Sequence, residues 1–269
     1  MPARLAAVLS VLALAVPGAA AADLTVTTPG ISGAEGTVRV MLFDNDKDYR
    51  DLDRPRLTLR VPALDGVPEY RIGGLAPGSY AVAAHHDRDN DGDVEYTVAD
   101  GIGDPLAVGG GRPLLKRPPI PAFADVAVPL AGKGPAAVAL ALGPGAKLER
   151  RPQGPTLRLR NLPTGEGVLR LRLFADGKGW ARAAESGRDA TVFLNRTGPA
   201  SAELTLTLPP LPEGRYAVLA FFEPIPDGRL GEGEPRAVSG EAPAGGALPT
   251  FEAAAVPLLP GTETALTLR

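Results

Sequence analysis

The chain has 269 residues and carries 28 Lys and Arg against 31 Asp and Glu, a net charge of −3. The two signs are interspersed, so there is no basic footprint for nucleic acid or for an anionic lipid surface. Cysteine is absent, which removes disulfides, lipoprotein attachment and thiolate chemistry.

Residues 1–22 read as an export signal. Arg4 supplies the positive charge, residues 5–16 form an apolar core, Pro17 and Gly18 break it, and four alanines follow. That core is too short for a membrane span of ~20 residues, and no later segment comes closer. The expected product is a soluble protein starting near Asp23, periplasmic or secreted.

The remainder alternates with a period of two. Leu24 and Val26 alternate with Thr25 and Thr27, Val38, Val40 and Leu42 with Arg39 and Met41, and Leu57, Leu59 and Val61 with Thr58 and Arg60. Further on, Leu157 and Leu159, Leu169, Leu171 and Leu173, and Leu204, Leu206 and Leu208 do the same. Such alternation marks half-buried antiparallel strands, and Pro77-Gly78 and Glu213-Gly214 mark turns between them. No stretch has convincing helical periodicity; residues 180–186 allow one helical turn at most.

The strand pattern is written twice. Gly36-Thr-Val-Arg-Val-Met-Leu-Phe43 aligns with Gly167-Val-Leu-Arg-Leu-Arg-Leu-Phe174, with Tyr49 and Trp180 at the same distance beyond each Phe. Leu75-Ala-Pro-Gly78-Ser-Tyr80-Ala-Val aligns with Leu211-Pro-Glu-Gly214-Arg-Tyr216-Ala-Val, and Pro121-Ala-Phe123 with Pro249-Thr-Phe251. Three blocks in one order predict a tandem duplication. The fold class expected is all-β, two tandem antiparallel β-sandwiches: domain 1 over 23–142, a Gly/Pro-rich linker over 143–154 and domain 2 over 155–269.

One stretch carries candidate chemistry. Asp87, Asp89 and Asp91 stand on alternate residues, followed by Gly92, Asp93 and Glu95. Alternate carboxylates on a tightly turning loop can converge on calcium, which takes six to eight oxygens, and glycine permits the turn. The pattern departs from the helix–loop–helix calcium motif, since Val98 stands where a bidentate Glu belongs and the flanks read as strands. Asp87, Asp89, Asp91, Asp93 and Glu95 are the candidate ligands, with His86, Asp100 and Asp104 as accessories. In the second copy Glu223 stands at the place of Asp87 and Asp227-Gly228 keeps the turn, but Ile225 replaces Asp89 and Arg229 replaces Asp93. One site per chain is therefore expected.

His85 and His86, the only two histidines, fall on opposite faces of a strand and cannot easily share a zinc ion; the second copy has Phe at both places. Asp44, Asp46, Asp48, Asp51 and Asp53 surround Tyr49 and read as a solvated loop, with an anionic surface beside the first acidic loop as the other reading. Asn195-Arg-Thr197 matches a glycosylation acceptor only formally.

The motifs Leu42-Phe43-Asp44, the block from Leu75 through Val82, His86-Asp87-x-Asp89-x-Asp91-Gly92 and Pro121-x-Phe123 resemble those of a family of exported bacterial domains of unknown function. The resemblance covers the first copy almost fully and the second by its scaffold. It implies a sandwich similar to transthyretin-like and immunoglobulin-like modules, and no agreed activity.

There is no Gly-x-Ser-x-Gly elbow, no phosphate-binding glycine loop and no cysteine nucleophile. The leading expectation is a non-catalytic module binding a protein or an envelope glycan, with one weak calcium site. The alternative is a hydrolase of envelope polysaccharide using acidic residues of domain 1. A third reading, carriage of a small apolar ligand, requires a cavity between sheets.

Overall fold

The computed structural model describes residues 21–31, 33, 35–92, 104–109, 113–114, 120–130, 135–143, 153–198, 201–240 and 247–269. Most of the expected leader (1–20 of 1–22) and of the expected linker (144–152 of 143–154), and Asp93, Glu95 and Asp100, lie outside the described residues.

The chain is mostly strand. Its first half runs β1 (Ala22–Thr27), β2 (Thr37–Phe43), α1 (Asp46–Asp51), β3 (Leu57–Pro62), β4 (Glu69–Leu75), β5 (Gly78–Asp87), β6 (Leu106–Val108), β7 (Pro113–Leu114), α2 (Phe123–Val126), β8 (Val128–Leu130) and β9 (Ala136–Ala139). Its second half runs β10 (Thr156–Arg160), β11 (Val168–Phe174), α3 (Gly177–Trp180), β12 (Val192–Thr197), β13 (Glu203–Thr207), β14 (Arg215–Glu223), β15 (Arg236–Val238), α4 (Phe251–Ala254), β16 (Val256–Pro257) and β17 (Glu263–Thr267). Among the described residues, and apart from β7, the second half follows the element order of the first.

Both sheets pass through both halves. One has the order β17-β10-β13-β4-β1-β9; the other has the order β15-β14-β11-β12-β3-β2-β5-β6-β7, with β8 and β16 paired to the starts of β5 and β14. The halves meet edge to edge, β4 against β13 in the first sheet and β3 against β12 in the second, with Leu59 opposite Leu194 at the centre of the latter seam. Pairing the edges in this way satisfies backbone groups that two free edge strands would leave open. Pairing is not antiparallel throughout: β9 runs parallel to β1, and β17 parallel to β10. Each half's last strand returns from the other sheet and enters in the direction of the half's first strand.

A single apolar core lies between the sheets, drawing Val26, Val40, Leu59, Ile72 and Val82 from the first half and Leu157, Leu171, Leu194, Leu206 and Val218 from the second. The inward residues are those the alternation selects. The second sheet is also covered on its outer face. Ala81 and Ala83 of β5 pack with Met41, Phe43, Tyr49 and Leu106, and Ala217, Leu219 and Phe221 of β14 pack with Phe174, Trp180 and Ala183. This two-sided burial explains why β5 and β14 read as continuous apolar runs. Tyr49 sits edge-on to Phe43 at 5.9 Å, and Trp180 edge-on to Phe174 at 5.8 Å. Both aromatics are packing residues on the buried sides of the short helices α1 and α3.

The repeated tyrosines also have a local purpose. Tyr80 donates its hydroxyl to the Ala76 carbonyl at 2.9 Å, and Tyr216 to the Pro212 carbonyl at 2.7 Å. Each ties the turn before its strand back to the strand, as in a tyrosine corner. The acidic segment around Tyr49 is a helix, not an open loop. Asn45 caps α1 by accepting from the Asp48 amide, and the carboxylates are matched by arginines: Asp46 by Arg50 at 2.7 Å, Asp48 by Arg54 at 3.2 Å and Asp44 by Arg56 at 2.7 Å. Among the described residues no helix is long and apolar enough to cross a membrane.

Candidate cation site

The acidic ladder begins at the end of β5. Asp87 is the last residue of that strand, opposite Thr37 in β2. The strand end lies very close to the start of β2: a side chain at Gly36, whose φ is +78°, would strike the Asp87 carbonyl oxygen and stand 2.6 Å from Arg88 Cα. Gly167 is in the same relation to Glu223 in the second half, so this close approach belongs to the scaffold. Past Asp87 the backbone curls through Asn90 (φ 62°) and Gly92 (φ 91°), left-handed conformations that Asn and Gly tolerate best. The Asp91 amide donates to Asp89 Oδ1 at 3.2 Å.

The turn brings Asp87, Asp89 and Asp91 together, with one carboxylate oxygen of each within 4.8 Å of the others. Asp89 and Asp91 are exposed, whereas Asp87 is only 2% exposed and its Oδ1 is buried without a hydrogen-bond partner among the described residues. Burial pushes the Asp87 carboxyl above its ordinary value, against the opposing pull of His85 and Arg39. Arg39 of β2 braces the other side, 3.6 Å from Asp87 Oδ2 and donating to the Gly92 carbonyl at 3.0 Å. In the second half Arg170 holds Glu223 at 2.6 Å, and Arg172 donates to the Gly228 carbonyl at 2.7 Å. The arginine brace is thus scaffold in both halves, and the carboxylate at 89, where the second half has Ile225, is peculiar to the first.

The histidines divide as strand geometry requires. His85 points to the outer face, fully buried, with Nε2 3.3 Å from Asp104 Oδ2; Asp104 Oδ1 accepts from the Arg88 amide at 3.2 Å. Burial lowers the His85 pKa from its ordinary 6.5, against the attraction of Asp104. His86 turns inward and donates from Nε2 to the Glu35 carbonyl at 2.9 Å. Asp104 and His86, counted as accessories from the sequence, are therefore engaged with His85, Arg88 and Glu35, and neither belongs to the three-carboxylate cluster. Arg39 was not among the sequence candidates, although it stands in phase with the outward positions of β2. Only the strand register shows that it reaches the turn.

The molecule is thus a two-sheet β protein with a carboxylate cluster at one strand-end turn. Residues 26–137 match the family described as “Uncharacterized protein conserved in bacteria (DUF2141)”. The match covers most of the first half and includes the cluster. A crystal structure described as a “putative adhesin” from Bacteroides ovatus is similar over 97% of this chain and 94% of that chain, at 11% identity and a TM-score of 0.23. A likeness at that level carries no argument about fold or function. No curated protein matches the chain, and none of these comparisons identifies a catalytic family.

Proposed function

We propose that the protein is a non-catalytic exported binding module, and that its first half holds one divalent cation, calcium by chemistry, on Asp87, Asp89 and Asp91. The observation that carries this reading is the convergence of three carboxylate oxygens within 4.8 Å of one another. One of the three carboxylates is buried, with an oxygen that has no donor among the described residues. Crowded carboxylates repel, and a hard cation relieves both the repulsion and the burial of charge. Three carboxylates are fewer than the six to eight oxygens calcium takes, so water or neighbouring oxygens complete the shell. Affinity then falls in the weak class of extracellular modules, about 10⁻⁴ to 10⁻³ M.

The test is calorimetric titration of the protein with calcium chloride, alongside thermal melting with calcium and with chelator. The expected result is saturable heat and a raised melting temperature, both lost in Asp89→Asn/Asp91→Asn, which leaves the Arg39 brace intact. Absence of heat and of any melting shift at millimolar calcium would sink the reading.

A further inference from the structure

A second polar feature lies at the seam between the two halves. Counting from the paired Leu59 and Leu194, the inward position two residues further along is Val61 in β3 and Arg196 in β12. Val61, Val192 and Leu194 lie in the shared core, so Arg196 puts a guanidinium where its sister position has a valine. It is 6% exposed, and its Nε and Nη1 are buried with no hydrogen-bond partner among the described residues. Burial pulls its pKa down to about 10, which leaves it charged at neutral pH. An unpaired buried charge is among the costlier features a core can hold. Nothing in the packing of the sheets calls for it, since valine fills the equivalent place.

The side chain lines a small cavity of about 30 Å³, walled by Leu42, Leu57, Leu75 and Tyr80 with Arg56 beside them. By the measure under which one water needs roughly 10–15 Å³, there is room for about two waters or a group of that size. The Arg56 charge is already matched by Asp44, and the Tyr80 hydroxyl is given to Ala76. Among the described residues the cavity therefore offers one unmatched cation with several N–H donors, set against apolar walls.

We propose that this cavity takes the carboxylate of a small organic acid, with Arg196 donating to its oxygens and its short apolar part lying on Leu42, Leu57 and Leu75. A planar monoanion matches a guanidinium in charge and shape. A tetrahedral dianion would leave its second charge unpaired against leucine walls.

The test titrates the full chain with ¹³C-acetate at constant ionic strength, with sodium chloride as the blank and sodium phosphate as the competitor, followed by NMR and calorimetry. The variant is Arg196→Val, the residue its sister position already accommodates; Arg196→Met, nearer in volume, serves if the valine variant does not fold. The expected result is saturable acetate binding in the wild type, weakened by about tenfold or more in the variant, the loss that goes with removing a hydrogen bond to a charged group. The calcium response should be the same in both. No saturable acetate binding, equal binding in the variant, or phosphate bound as tightly as acetate would each overturn the assignment.

Discussion

Replacing Gly36 by Ala tests whether the scaffold itself sets the position of the acidic turn. The new methyl would meet the Asp87 carbonyl oxygen and Arg88 Cα, at a residue whose φ is +78°. A left-handed conformation costs a residue with a Cβ roughly 1–2 kcal/mol, and forcing a methyl into filled space costs about 1–3 kcal/mol more. The sum is a loss of about 2–5 kcal/mol, or a fall in melting temperature of roughly 2–4 °C per kcal/mol for a protein of this size. Gly261 separates the two contributions, because its φ is +74° and nothing lies within 4 Å of the place a Cβ would take. Gly261→Ala should therefore carry only the conformational cost of about 1–2 kcal/mol. The assay is urea unfolding of both variants with the slope held common. Relief of the clash moves Asp87 and Arg88, so Gly36→Ala should also weaken calcium binding while Gly261→Ala should not. Equal losses in the two variants, with calcium binding untouched in both, would refute the argument that β5 is pinned against the start of β2.

The shared core predicts that the halves unfold together. Leu59→Ala in β3 should cost about 2–5 kcal/mol, and the transition of Trp180, the only tryptophan and a second-half residue, should shift as far as the far-ultraviolet circular dichroism. A Trp180 transition left in place would show that the halves are independent. The buried His85–Asp104 pair predicts an acid-sensitive contribution. The folded pKa of His85 is depressed, so its share of stability is fully present above its ordinary 6.5 and is lost as pH falls through the lower folded value. His85→Phe, which installs the residue found at 221, should narrow the stability difference from wild type as pH drops from about 7.5 to 5 in chelator; a difference that does not change with pH would contradict the assignment.

The parts legible without coordinates were those governed by local periodicity and local turn chemistry. Alternation alone placed Val40, Leu59, Leu171 and Leu206 in the interior, because side chains on a strand must alternate faces wherever the strand runs. The Asp87, Asp89, Asp91 ladder and Gly92 marked a tight acidic turn for the same reason, since spacing and glycine act over a few residues. Comparison of the two halves also put Tyr49 and Trp180 at equivalent places.

Everything that depended on which strands become neighbours needed the tertiary structure. Alternation is equally compatible with two sandwiches side by side or with sheets shared through β3–β12 and β4–β13, because it says nothing about what an edge strand pairs with. The parallel entry of β9 and β17 is likewise a matter of connection, not of propensity. The same limit applied to the polar residues. Arg39 braces Asp87 only by virtue of register, Asp104 turns to His85 through residues far apart in the chain, and Arg196 gains meaning only when its inward phase meets the seam. The sequence alone determined a duplicated strand pattern and one acidic turn; strand pairing, within each half and across the seam, decided which charges end up buried and which of them lack a partner among the described residues.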